Sequence, residues 1–120
     1  MRESGEMYLE NILILKGKLG NVRAVDLAEM MGYSKASISR ALSRLKNDGF
    51  VALDDSGYLL LTEKGSKIAE TIYERHRVIT DMLVAIGVDE KTAAADACKM
   101  EHDISEKTFR AMKKHIIDKR

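Results

Sequence analysis

The sequence predicts a mainly α-helical chain, and three observations carry that expectation. Apolar residues recur at three- and four-residue intervals over most of the 120 positions. Proline is absent. The period changes to strand-like in one short stretch, residues 50–62. At 45% apolar and 32% charged residues, the composition is that of a globular rather than a disordered chain. The longest apolar runs, ILIL at 12–15 and YLLL at 58–61, fall far short of a bilayer span. The opening MRESGEMYLE holds no apolar export core, so a cytoplasmic protein with no membrane partner is expected. The single cysteine cannot form an internal disulfide, which suits a reducing compartment.

The first helix is expected over 6–16, with Leu9, Ile12 and Leu13 as its apolar stripe and GKLGN at 17–21 as its stop. Met7 and Glu10 are three apart and share a face. A second helix spans Ala24 to Met31, where Leu27, Ala28 and Met31 fall at helical spacing. Gly32 and Tyr33 break it, and Ser34 is placed to cap the next. That longer helix has Ile38, Ala41, Leu42 and Leu45 on one side and Lys35, Ser37, Ser39, Arg40, Ser43 and Arg44 on the other, and stops at Gly49. Two helices joined by a short glycine-containing turn form a helix-turn-helix. FVALDDSGYLLLT, 50–62, then reads as a hairpin, with Val51 and Leu53 facing Tyr58, Leu59 and Leu60 across DDSG. A hairpin directly after such a helix makes the motif winged.

From Thr62 a long helix is expected, with Ile68, Ile72, Ile79, Leu83 and Ile86 in one stripe, His76 inside it and Gly87 as the stop. Asp89 is placed to cap the next helix and Ser105 the last, whose stripe is Phe109, Met112 and Ile116. The expected division is a winged helix-turn-helix DNA-reading domain, 1–62, and an all-helical domain, 63–120.

Charge placement favours double-stranded DNA as a partner. Over 33–49 four basic residues oppose one acid, a net +3, whereas 1–62 as a whole balances at eight of each sign. Ser34, Lys35, Ser37, Ser39, Arg40 and Arg44 are the candidate DNA contacts: hydroxyls that allow close approach, and cations for phosphate. The competing reading is a solvated charged face on an ordinary helical hairpin. The wing tip is acidic, Asp54 and Asp55, and is not expected to grip phosphate.

The stretch DACKMEHD, 96–103, spends the only thiol of the chain beside a glutamate and a histidine. Cys98, Glu101 and His102 stand at i, i+3 and i+4, which brings them to one helical face. A metal site accounts for that clustering. So does a small buried cysteine next to a surface Glu–His pair. A redox sensor built on Cys98 is a further alternative. An enzyme is not expected: a Cys98–His102 nucleophile pair would lack any accompanying oxyanion loop.

On these stretches the chain resembles the metal-dependent repressors that include the diphtheria toxin repressor and the manganese transport regulator. The likeness lies in GEMYLENI at 5–12, DLAEMMGYSKASISRALSRLKNDGFV at 26–51, LTEKGSKIA at 61–69, RHR at 75–77 and DACKMEHDIS at 96–105. It implies a homodimeric repressor that binds a palindromic operator when a divalent metal ties the first helix to a helical dimerisation domain. The iron-responsive branch implies Met7, Cys98, Glu101 and His102 as ligands; the manganese branch adds Glu10 and His76 as members of a second site. His76 is equally consistent with a core histidine, and Glu10 with a solvated charge. Sulfur donors point to Fe(II), with Mn(II) as the other candidate and Co(II), Ni(II) or Zn(II) as substitutes in vitro. Two ancillary-site residues of the iron branch are replaced, by Thr80 and Ala94, and the SH3-like domain of longer members is missing from this sequence, so that ancillary site is not expected.

Overall fold

The computed structural model describes residues 3–118. Six helices and one hairpin follow in the order α1 (Glu3–Leu19), α2 (Ala24–Met31), α3 (Lys35–Asn47), β1 (Val51–Leu53), β2 (Leu59–Leu61), α4 (Glu63–Ala85), α5 (Glu90–Met100) and α6 (Glu106–Asp118). The chain forms two compact units, Met1–Glu70 and Thr71–Arg120, with the boundary inside α4.

The first unit is a winged helix-turn-helix. Its core gathers Leu9 and Ile12 of α1, Leu27 of α2, Ile38 and Leu45 of α3, and Val51 and Leu59 of the hairpin. Helix α1 is longer than the expected 6–16. Gly17 is absorbed into it at a cost of about 1 kcal/mol, and the stop falls at Gly20, whose φ is +81°. Its buried face is Tyr8, Leu9, Ile12 and Leu15, with Leu13 only partly covered. Helix α2 ends on Gly32 in the left-handed conformation, with a 2.9 Å bond from its N–H to the Ala28 carbonyl. Ser34 caps α3, its hydroxyl accepting from the Ser37 N–H at 3.1 Å.

The wing is antiparallel with Val51 opposite Leu61, and Asp54 Oδ1 accepts from the N–H groups of Ser56 and Tyr58 to close its turn. Arg23 lies 4.4 Å over the Tyr58 ring, and the Leu59 N–H donates to the Val22 carbonyl at 2.7 Å, so the hairpin is tied back to the start of α2. Gly65, in the first turn of α4, abuts the Phe50 carbonyl; a side chain there would collide with backbone.

In the second unit Ile72 and Ile79 of α4, Ala93 and Ala97 of α5, and Phe109 and Ile116 of α6 are buried. Small residues on α5 permit close helix approach. Asp89 caps α5 through the Thr92 N–H, which holds its carboxyl below the usual aspartate range. Ser105 accepts from the Thr108 N–H at the start of α6. Ile86 departs from the expected stripe. It lies one residue beyond α4 and is 72% exposed, because the helix has already given way to the turn at Gly87. Among the described residues no helix is long and apolar enough to cross a membrane.

Candidate metal centre and nucleic-acid interface

Helix α5 ends one residue before Glu101, and Glu101–Ile104 form the turn into α6. Glu101 keeps helical dihedrals, φ −61° and ψ −25°, and its N–H still reaches the Ala97 carbonyl. Its side chain therefore points as a further helical turn would direct it. The carboxylate has no solvent exposure. Burying a carboxylate costs several kcal/mol unless cations or donors compensate. Two imidazoles flank it. His76 Nδ1 lies 2.8 Å from Oε2, and His102 Nε2 lies 3.4 Å from Oε1, with the His102 side chain 1% exposed. Among the described residues Oε1 receives no hydrogen bond.

This donor set fits a divalent cation. Ligand atoms held about 2.1 Å from one ion at right angles to each other are roughly 3 Å apart, so the carboxylate–imidazole spacings match those of groups sharing an ion. Without a cation, the His76 N–H donates to Oε2, and the second carboxylate oxygen is left poorly satisfied. A buried carboxylate oxygen without a hydrogen-bond partner is uncommon unless an ion or water meets it.

The other candidates differ in burial. Cys98 is exposed on the last turn of α5. Met7 is half-buried on α1, and Glu10 is buried, 5% exposed. Burial of Glu10 argues against a solvated charge. His115 is exposed. Thr80 donates its hydroxyl to the His76 carbonyl at 2.7 Å, which occupies it within α4.

Sequence reasoning missed Arg75. Its Nη1 donates to the carbonyls of Glu101 at 3.2 Å and Ile104 at 2.9 Å, and its Nη2 donates to Glu106 Oε2 at 3.0 Å. The RHR stretch placed it beside His76. No periodicity could say that it would cross to a turn some thirty residues later.

On α3, Ile38 and Leu45 face inward while Lys35, Ser39, Arg40 and Arg44 are exposed. Ser37, half-buried, bonds the Ser34 hydroxyl at 3.1 Å and receives Arg40 at 3.4 Å. The exposed face is basic, short-chained at its N-terminal end and backed by a fixed core, as a helix entering a major groove requires.

A winged helix-turn-helix joined to a helical unit with a buried carboxylate–imidazole cluster defines a ligand-responsive DNA-binding protein. The chain belongs to the iron-dependent repressor family: residues 1–59 match its N-terminal DNA-binding domain, and 62–117 match its metal-binding and dimerisation domain. It is 34% identical over 112 residues to the transcriptional regulator MntR of Escherichia coli O6:H1, covering 93% of this chain and 72% of that one. An uncharacterised HTH-type transcriptional regulator of Methanocaldococcus jannaschii is 33% identical over 115 residues, covering 94% of this chain and 92% of the relative. Among solved structures, the manganese regulator SloR superposes with a TM-score of 0.83 at 26% identity over 97% of this chain. A manganese-dependent transcriptional repressor in complex with manganese gives 0.81 at 24% identity over 93%. The chain spans 54% and 52% of those two structures, about half their length.

Proposed function

We propose that this protein is a homodimeric transcriptional repressor whose affinity for a palindromic operator is raised by a divalent metal. The observation that carries the reading is the buried Glu101 carboxylate between His76 and His102, with one oxygen lacking a hydrogen bond. Glu101, His76 and His102 are assigned as ligands from the second unit. Glu10 and Met7 are assigned from α1, with Cys98 as a sulfur donor. When bound, the metal supplies positive charge and a fixed geometry at these side chains. Through Met7 and Glu10 the metal would hold the already formed α1 to the dimerisation domain, so that the two copies of α3 sit one DNA turn apart. DNA must in turn raise metal affinity by the same factor.

The carboxylate and imidazole donors take Mn(II) as readily as Fe(II), whereas a ligating Cys98 selects Fe(II). Loss of metal affinity in the C98A variant would make Cys98 a ligand and favour Fe(II) over Mn(II); unchanged affinity would favour Mn(II). Such a repressor acts in the compartment that holds the DNA, the cytoplasm. An operator gel shift titrated with Mn(II) or Fe(II) tests the reading: affinity rises with metal if it is right and stays flat if it is wrong.

The exposure of Cys98 supports a second reading, a redox-responsive regulator. Peroxide would then release metal-stripped protein from DNA, and the C98A variant would resist that release.

A further inference from the structure

Arg75 precedes His76 in α4, and its side chain is only 11% exposed. The guanidinium holds three points on a neighbouring segment. Nη1 donates to the Glu101 carbonyl at the end of α5 and to the Ile104 carbonyl at the end of the turn. Nη2 donates to Glu106, the first residue of α6, and the group stands 5.3 Å over the Phe109 ring. Carbonyls at a helix C-terminus lack intrahelical partners and carry partial negative charge, so a buried cation suits them. Arginine does this with a rigid fork that stays protonated; an ammonium offers no planar fork to span two carbonyls and a carboxylate.

The two carbonyls bracket His102. Glu101 and His102 lie on a turn rather than a regular helix, where fewer main-chain bonds fix them. Ligands must be held within about 0.5 Å of their working positions. Arg75 clamps the main chain on both sides of His102, and the residue after it in α4 is His76.

We infer that Arg75 is a positioning residue for the metal centre, setting the Glu101 carboxylate and the His102 imidazole in place before an ion arrives. This rests on the reading of His76, Glu101 and His102 as ligands. It acts through the main chain and touches no metal.

The test uses the full chain as wild type, R75M, R75K and E106Q. Mn(II) affinity is measured by competition with a chelating indicator, and ligand geometry by the visible absorption of the Co(II) form. The variant R75M weakens Mn(II) binding by about 10- to 100-fold and alters the Co(II) bands, because support of this kind from beyond the ligands is worth that much. The R75K variant recovers part of the loss, and E106Q, which keeps both carbonyl bonds, loses less than R75M. Should R75M fail to fold by circular dichroism, R75K carries the test with a smaller loss in the same direction. Wild-type affinity and an unchanged Co(II) spectrum in folded R75M, or in R75K if R75M does not fold, would overturn the inference alone. A wild-type chain that binds no Mn(II) or Co(II) would overturn the site assignment beneath it.

Discussion

His76 Nδ1 stands 2.8 Å from Oε2 of Glu101, a carboxylate with no solvent exposure. The pair joins the middle of α4 to the end of α5 across 25 residues of sequence. A contact this short around a buried charge is a place where one added cation changes the balance of forces.

Replacing Glu101 by glutamine keeps the side-chain volume and removes the charge. The metal-free protein should be as stable as the wild type or more so, since a buried carboxylate no longer needs compensation. Mn(II) affinity should fall by more than the roughly 100-fold that changes outside the ligand shell can cost. The increase in Tm on adding metal should vanish, whereas in the wild type metal at about 100 times Kd adds roughly 2.7 kcal/mol. Paired thermal melts with and without Mn(II) measure both effects.

The exposed cations of α3 should act through phosphate. Arg44→Ala is expected to weaken operator and non-operator DNA alike and to lower the slope of log affinity against log salt by about 1. Metal affinity in the absence of DNA should be unchanged. Fluorescence anisotropy across a salt series gives the slope.

The elements of both units were largely legible because their signals are local. Ser34, Asp89 and Ser105 each bond the N–H three residues ahead, as cap chemistry dictates. The period change at 50–62 gave the wing, since alternation of side chains belongs to strands. Helix α1 ran past its expected stop because Gly17 keeps helical backbone at a cost of only about 1 kcal/mol, and the conformational break falls instead at Gly20, whose φ is +81°. Within the candidate centre, Glu101 and His102 were visible as spacing, and His76 through the family resemblance. The exposure of Cys98 was not visible, because an i, i+3 offset cannot say where a helix ends against its neighbours. The reach of Arg75 was hidden for the same reason: its partners are backbone carbonyls, which every residue has.

Gly65 is required by contact with the Phe50 carbonyl, and Gly65→Ala should destabilise the first unit by about 1–3 kcal/mol or more. Backbone on one side and a helical first turn on the other leave little room to relax. Chemical denaturation should show a lower midpoint, with the slope retained.

Removing the cap of α3 should cost less. Ser34→Ala leaves the Ser37 N–H without its side-chain acceptor and is expected to lower stability by about 1 kcal/mol. The same variant should loosen the N-terminal turn of α3 and reduce operator affinity, read by hydrogen exchange of the Ser37 amide alongside anisotropy.

Acid should weaken the α6 end of the Arg75 clamp. Hydrogen bonds from Arg75 and then Arg110 hold the Glu106 carboxyl below the usual glutamate range. A depressed carboxylate adds stability that is fully present above its unfolded value, about pH 4.3, and is lost as pH falls through the lower folded value. E106Q should therefore show a shallower loss of stability below about pH 4.3 than the wild type, measured by urea titration at stepped pH.

The most direct test is a crystal grown with Mn(II) and measured for anomalous scattering. The account predicts an anomalous peak within bonding distance of Glu101, His76 and His102. A well-ordered, metal-saturated crystal with the peak elsewhere, or with Glu101 bonded only to the imidazoles and to water, would contradict it.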